Sequence, residues 1–181
     1  MTIRPQLDAE QARTVKALTT EACVEMFALL GTPVDLIERG QSAPAAHTMT
    51  GFIGFSGPIR GSLTISSAAN LFRASYPSKG EPDVADLLDW AGEIANQLLG
   101  RIKRRFCERG VDFEASTPAA IRGRDIGGRS PVREGVCDLS FRVGADVVGV
   151  SFEVTPGADG KIFTDTAEPI GCSREGDLVL F

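Results

Sequence analysis

Residues 83–109, DVADLLDWAGEIANQLLGRIKRRFCER, form the longest uninterrupted helical pattern in the chain. They end at Gly110, a residue suited to the left-handed turn that closes a helix. At 100° per residue, Val84, Leu87, Leu88, Ala91, Ala95, Leu98, Ile102 and Phe106 share one apolar stripe, the face a helix needs in order to lie on a sheet. On the opposite side Asp89, Glu93, Asn96 and Gly100 follow at steps of four, three and four, so they stack along one outward line. Its composition is odd for a solvated face, because Asn is a poor helix former and Gly costs about 1 kcal/mol relative to Ala.

The rest of the chain reads as elements that cover the apolar stripe. Val15, Leu18, Ala22, Met26 and Leu29 recur at helical spacing and stop at Gly31 and Pro33, which predicts a first helix over residues 8–30. Residues 34–47 read as a short strand or loop. Residues 48–55 and 62–66 alternate around the turn SGPIRG and predict a hairpin, followed by a short helix over 68–75 capped by Ser66 or Ser67. After Gly110 come extended pieces at 111–115 and 117–121, a polar loop at 122–133, and strands at 135–143 and 147–154. The order helix, hairpin, small helix, long helix, hairpin predicts an α/β (α+β) fold: a mainly antiparallel sheet with the two long helices packed on one face. Glu21 and Val24 of the first helix stand where the long one has Glu93 and Asn96, and both helices precede Gly-punctuated strand pairs. This suggests two duplicated helix-plus-hairpin units, of which only the second carries the polar line.

Composition excludes several functions. A net charge of −5 and a pI near 5.0 argue against a nucleic-acid binder or a surface held to anionic lipid. The one basic cluster, Arg101, Lys103, Arg104 and Arg105, reads as a solvated helix end complementing the macrodipole. Cys23, Cys107, Cys137 and Cys172 contain no C-x-x-C pair and read as reduced core thiols; with His47 the only histidine, no zinc site or catalytic triad is suggested. The N-terminus has no apolar leader and no run is long enough to span a membrane, which predicts a cytoplasmic protein. Trp90 and the aromatics of residues 48–55 read as packing groups and His47 as a loop residue.

On residue types alone, Asp89, Glu93 and Asn96 read as an ordinary polar surface. The flanking Gly92 and Gly100 add clearance for another backbone or a ligand, and Pro118 follows downstream after a spacer of 21 residues. Asp89-x3-Glu93-x2-Asn96 followed by Pro118 resembles the motif of the CheX/CheC chemotaxis phosphatases. WAGEIANQLLG and STPAAIRG look like that family's central helix and following strand, and EACVEMFALLG like its first helix. The resemblance spans roughly residues 15–155. It departs in a spacer one residue short, a polar insertion around residues 127–129, and a tail over 157–181, read as a short edge strand or a partly disordered segment, that follows a CheX-like domain of residues 1–156.

The resemblance implies a phosphatase for the aspartyl phosphate of a CheY-like receiver domain. Asn96 would orient the hydrolytic water and Glu93 would anchor the partner; Asp89, Gly92 and Gly100 would lie in the contact, with Pro118 shaping it. It implies no cofactor in this chain, Mg²⁺ in the partner receiver, and a possible homodimer. The alternative is a signalling module that docks a receiver or another partner through the same helix without catalysis.

Overall fold

The computed structural model describes residues 7–32, 34–37, 48–123, 136–157, 160–163 and 169–171. Within them the chain runs α1 (Ala9–Leu29), β1 (Asp35–Ile37), β2 (Met49–Ser56), β3 (Arg60–Ser67), α2 (Ala69–Ala74), α3 (Val84–Cys107), β4 (Glu114–Ala115), β5 (Ala119–Arg122), β6 (Val136–Val143) and β7 (Asp146–Thr155). His47, Cys172 and most of the polar loop after Arg122 lie outside the described residues.

Both long helices begin on an aspartate. The Asp8 carboxylate accepts the N–H groups of Glu10 and Gln11 at 3.0 and 2.8 Å. Asp83 accepts those of Ala85 and Asp86 at 2.8 and 2.9 Å, while Asp86 takes the Asp83 N–H at 3.0 Å, which closes a reciprocal capping box. Past the end of α3, Gly110 has φ 76°, the left-handed conformation expected of it. α2 is capped otherwise than expected. Ala68 holds the N-cap position, because Ser67 Oγ is drawn to Val147 O at 3.1 Å and Ser66 Oγ to Thr50 Oγ1 at 2.9 Å, across the sheet.

Seven strands form one antiparallel sheet in the order β1-β6-β7-β3-β2-β4, with β5 also on β2. Apart from β4, the strand pairing is unchanged when the two helix-plus-strand units are exchanged: β1 of the first unit pairs with β6 of the second, β5 of the second pairs with β2 of the first, and β3 and β7 meet at the centre. Expected strand 111–115 shortens to two residues. Asp112 Oδ1 takes the Phe113 N–H at 2.8 Å, and Val111 and Phe113 turn into the core before the chain reaches β2.

Helices α1 and α3 lie side by side on one sheet face. The closest approach is over Gly51 of β2, where an added Cβ would overlap the Ala91 carbonyl of α3. Toward the C-terminal end of α3, Phe55, Phe106, Phe113 and Phe152 interlock with ring centroids 4.7–5.9 Å apart. The apolar stripe is wider than the wheel predicts, for Ile94 and Leu99 are also buried, whereas Val84, in the first turn, is 44% exposed. Phe52, by alternation, points to the other sheet face and is partly exposed.

The basic cluster is not a solvated helix end. Arg104 Nη2 and Arg105 Nη2 bond Glu25 of α1 at 2.9 and 2.8 Å, Arg105 Nε lies 3.6 Å from Glu21, Lys103 pairs with Asp112 at 3.1 Å, and Arg101 is buried. The bond from Arg105 holds the Glu25 carboxyl below its ordinary range, helped by the second from Arg104. Of the cysteines, Cys23 and Cys137 are buried free thiols, both pushed up by burial, Cys137 to about 11. Cys107 departs from expectation: it is disulfide-bonded. The described part of the tail contains no strand. It packs back on the helices, Ile162 donating its N–H to the buried Gln11 Oε1 at 2.6 Å, Phe163 lying 5.0 Å from the Phe106 ring, and Ile170 N–H reaching Cys107 O at 2.9 Å. No described helix is long and apolar enough to cross a membrane.

Two measurements check this packing. Gly51→Ala should destabilise the fold by about 3 kcal/mol in chemical denaturation, because backbone has to move to admit the methyl. Glu25→Gln should cost up to about 1 kcal/mol at neutral pH. A carboxyl whose folded pKa lies below its unfolded one contributes stability that is complete above the unfolded value, 4.5, and disappears as pH falls through the folded value. The gap between wild type and Glu25→Gln should therefore close on acidification below that value.

Candidate active site

α3 rests on β2 through Ala91 and Gly51, which turns its far side outward beside the sheet edge made by β5. Asp89 on that side is exposed, and Glu93, Asn96 and Gly100 are partly exposed. The four stand in one line, as the wheel predicts. A Cβ on Gly100 would meet nothing within 4 Å, so open space lies above it. Gly92, by contrast, is buried, and its face is turned to Pro118, whose Cβ lies 3.8 Å from the position of an added methyl. Pro118 and β5 thus form one flank of the line.

Trp90 forms part of the other flank. Its indole N–H donates to Ser75 Oγ at 3.1 Å and its ring meets Tyr76 edge-on at 6.2 Å, which ties the segment after α2 to α3. This is the packing role the sequence suggests for Trp90.

The polar groups on the line differ in their engagement. Glu93 Oε1 accepts a hydrogen bond from Gln97 Nε2 at 2.9 Å. The Asn96 carboxamide makes no hydrogen bond among the described residues, although it is partly shielded, and neither its oxygen nor its nitrogen is among the buried unpartnered atoms. Gln97 was not singled out by the motif. The signal that could have found it is its position four residues after Glu93, where helix side chains meet.

Among the described residues no group of His, Cys, Asp and Glu is arranged to hold a metal ion. A cleft of about 860 Å³, lined by residues including Arg13, Lys16, Leu36, Cys137 and Leu139, lies between α1 and the β1–β6 edge and contains none of the four line residues. The line is therefore a projecting helix face with a free amide and a carboxylate one turn apart, a shape that offers itself to another macromolecule rather than enclosing a small one.

The family model for the chemotaxis phosphatase CheX matches residues 49–142, more than half of the chain and all of α3 and β5. The chain belongs to this family. The matched region is narrower than the resemblance read from sequence, beginning at β2 and ending in β6.

Solved CheX structures share the fold. The chemotaxis protein CheX from Vibrio vulnificus aligns at TM-score 0.66 and 19% identity over 77% of this chain and 95% of its own. CheX from Desulfovibrio desulfuricans aligns at 0.67 and 18% over 78% and 99%. A third, the CheX–CheY–BeF3–Mg²⁺ complex from Borrelia burgdorferi, aligns at 0.58 and 13% over 80% and 97%. No curated protein matches the chain.

Because the space above Gly100 is empty, Gly100→Ala should stabilise α3 by up to about 1 kcal/mol, read as a Tm rise of about 2–4 °C.

Proposed function

We propose that this member of the CheX family hydrolyses the aspartyl phosphate of a CheY-like receiver domain, and that the outward line of α3 is the surface that does it. The observation that carries the reading is the unengaged Asn96 carboxamide, one turn from Glu93 on a face kept open by Gly100. The Borrelia relative in complex with CheY, BeF3 and Mg²⁺ supports the choice of partner and the expectation of Mg²⁺ in the receiver.

A receiver domain holds its phosphoryl group on an aspartate as an acyl phosphate with Mg²⁺ already bound, so what remains to supply is an oriented water. Asn96 fits that task. Its carbonyl oxygen accepts a hydrogen bond from the water while its amide N–H donates one to an oxygen at the phosphoryl centre, and it brings no charge to repel the dianion. The water oxygen bonds to phosphorus, the bond to the aspartyl oxygen breaks, the carboxylate leaves with the electron pair, and the water's proton passes to phosphate or solvent.

Glu93 acts as the anchor, pairing with a receiver cation beside the phosphoryl group. Asp89 extends this polar contact one turn back. Gly100 gives the receiver backbone room, and Gly92 lets Pro118 close against α3, where Pro118 shapes the flank. Docking through one helix face requires a second macromolecule but no cofactor in this chain, and it suits a cytoplasmic setting, where receivers act. The free edges of a sheet such as this one also admit a homodimer.

Asn96→Ala tests the reading. Phosphate release from a phosphorylated receiver should fall at least about 100-fold while receiver binding is retained and Tm stays within about 2 °C. Equal rates for the two proteins would remove Asn96 from the mechanism. Binding without acceleration by the wild-type protein would identify a docking module instead.

A further inference from the structure

The bond between Gln97 and Glu93 has no part in the reading above, yet its geometry bears on both groups that the reading uses. From Glu93, the helix turns about 40° one way to Gln97 and about 60° the other way to Asn96. Both neighbours carry an amide N–H that a Glu93 carboxylate can reach. They compete for it. If Asn96 donated to Glu93, a single internal bond would occupy the anchor and the water-orienting amide together.

In the structure Gln97 has taken the carboxylate, with Nε2 at 2.9 Å from Oε1, and Asn96 is left without a partner among the described residues. The backbone carbonyl of Gln97 accepts a separate bond from Nη1 of the buried Arg101 at 3.1 Å, which leaves the side-chain amide to Glu93 alone. Being neutral, Gln97 leaves the charge of Glu93 intact, and it uses only one of the two carboxylate oxygens.

We propose that Gln97 is a positioning residue that draws the Glu93 carboxylate away from Asn96, so that one oxygen of Glu93 and the whole Asn96 carboxamide stay free for the partner. The proposal rests on the receiver-phosphatase reading of Glu93 and Asn96. Methionine at 97 keeps the length and the helix preference but removes the N–H, and frees Glu93 to fold onto Asn96.

The test compares wild type, Gln97→Met, Glu93→Ala, Asn96→Ala and the Gln97→Met/Glu93→Ala double variant as catalysts of phosphate release from a phosphorylated CheY-like receiver domain with Mg²⁺, alongside thermal unfolding of each. Gln97→Met should lower kcat/KM about three- to tenfold with Tm unchanged. In the Glu93→Ala background it should cost nothing further, because the carboxylate it restrains is gone. A packing role would give the same loss in both backgrounds, and that result would overturn the proposal. So would a Gln97→Met protein as active as wild type while Glu93→Ala and Asn96→Ala are impaired, an outcome that leaves the phosphatase reading standing. Full activity in Glu93→Ala and Asn96→Ala, or none in wild type, would overturn both together.

Discussion

The contact of Ala91 with Gly51 governs the architecture. Helices usually stand off a sheet by the depth of two side chains, but here a strand residue without a side chain meets a helix residue with one methyl, and α3 sinks until its backbone meets β2. Depth and rotation are set by the same contact. With Ala91 down, Leu87, Ile94, Leu98 and Ile102 interdigitate with the sheet, and Asp89, Glu93, Asn96 and Gly100 are turned outward beside β5. The site is thus a consequence of how the core is packed, and it needs no loop to hold it.

The second constraint is the tie between the helices. Four positive charges at the end of α3 would repel one another if left in solvent, and instead three of them are answered by Glu21, Glu25 and Asp112, while Arg101 is buried. This explains how the duplicated units diverged. In the first unit Glu21 stands where Glu93 does, but its charge faces Arg105, and Val24 stands in place of Asn96, 46% exposed. One helix became a strut and the other kept a free polar line.

Much of this was legible in the chain. Periodicities of 3.6 and 2 located both long helices and both hairpins, because these elements each bury one face and must repeat apolar residues to do so. The line from Asp89 to Gly100 followed from spacing alone, and the resemblance to the family motif supplied the role proposed for it. What stayed hidden depends on partners distant in sequence. Ser66 and Ser67 were spent across the sheet on Thr50 and Val147 rather than on capping α2, the arginines found carboxylates about eighty residues away, and Cys107 was bonded rather than free. Val84 was misjudged for a different reason: it keeps the period, but α3 has not yet reached the sheet there. That Gly92 faces Pro118 rather than open space was hidden because Gly92 lies in α3 and Pro118 just before β5.

The chain's place in the CheX family and the open Asn96 carboxamide support the proposed turnover of a receiver's acyl phosphate. The most direct measurement is the decay of a phosphorylated CheY-like receiver with Mg²⁺ in the presence of a small fraction of an equivalent of the wild-type protein. Decay of the whole receiver pool, at an initial rate proportional to the protein added, is the predicted result. A decay indistinguishable from that of the receiver alone would contradict the account.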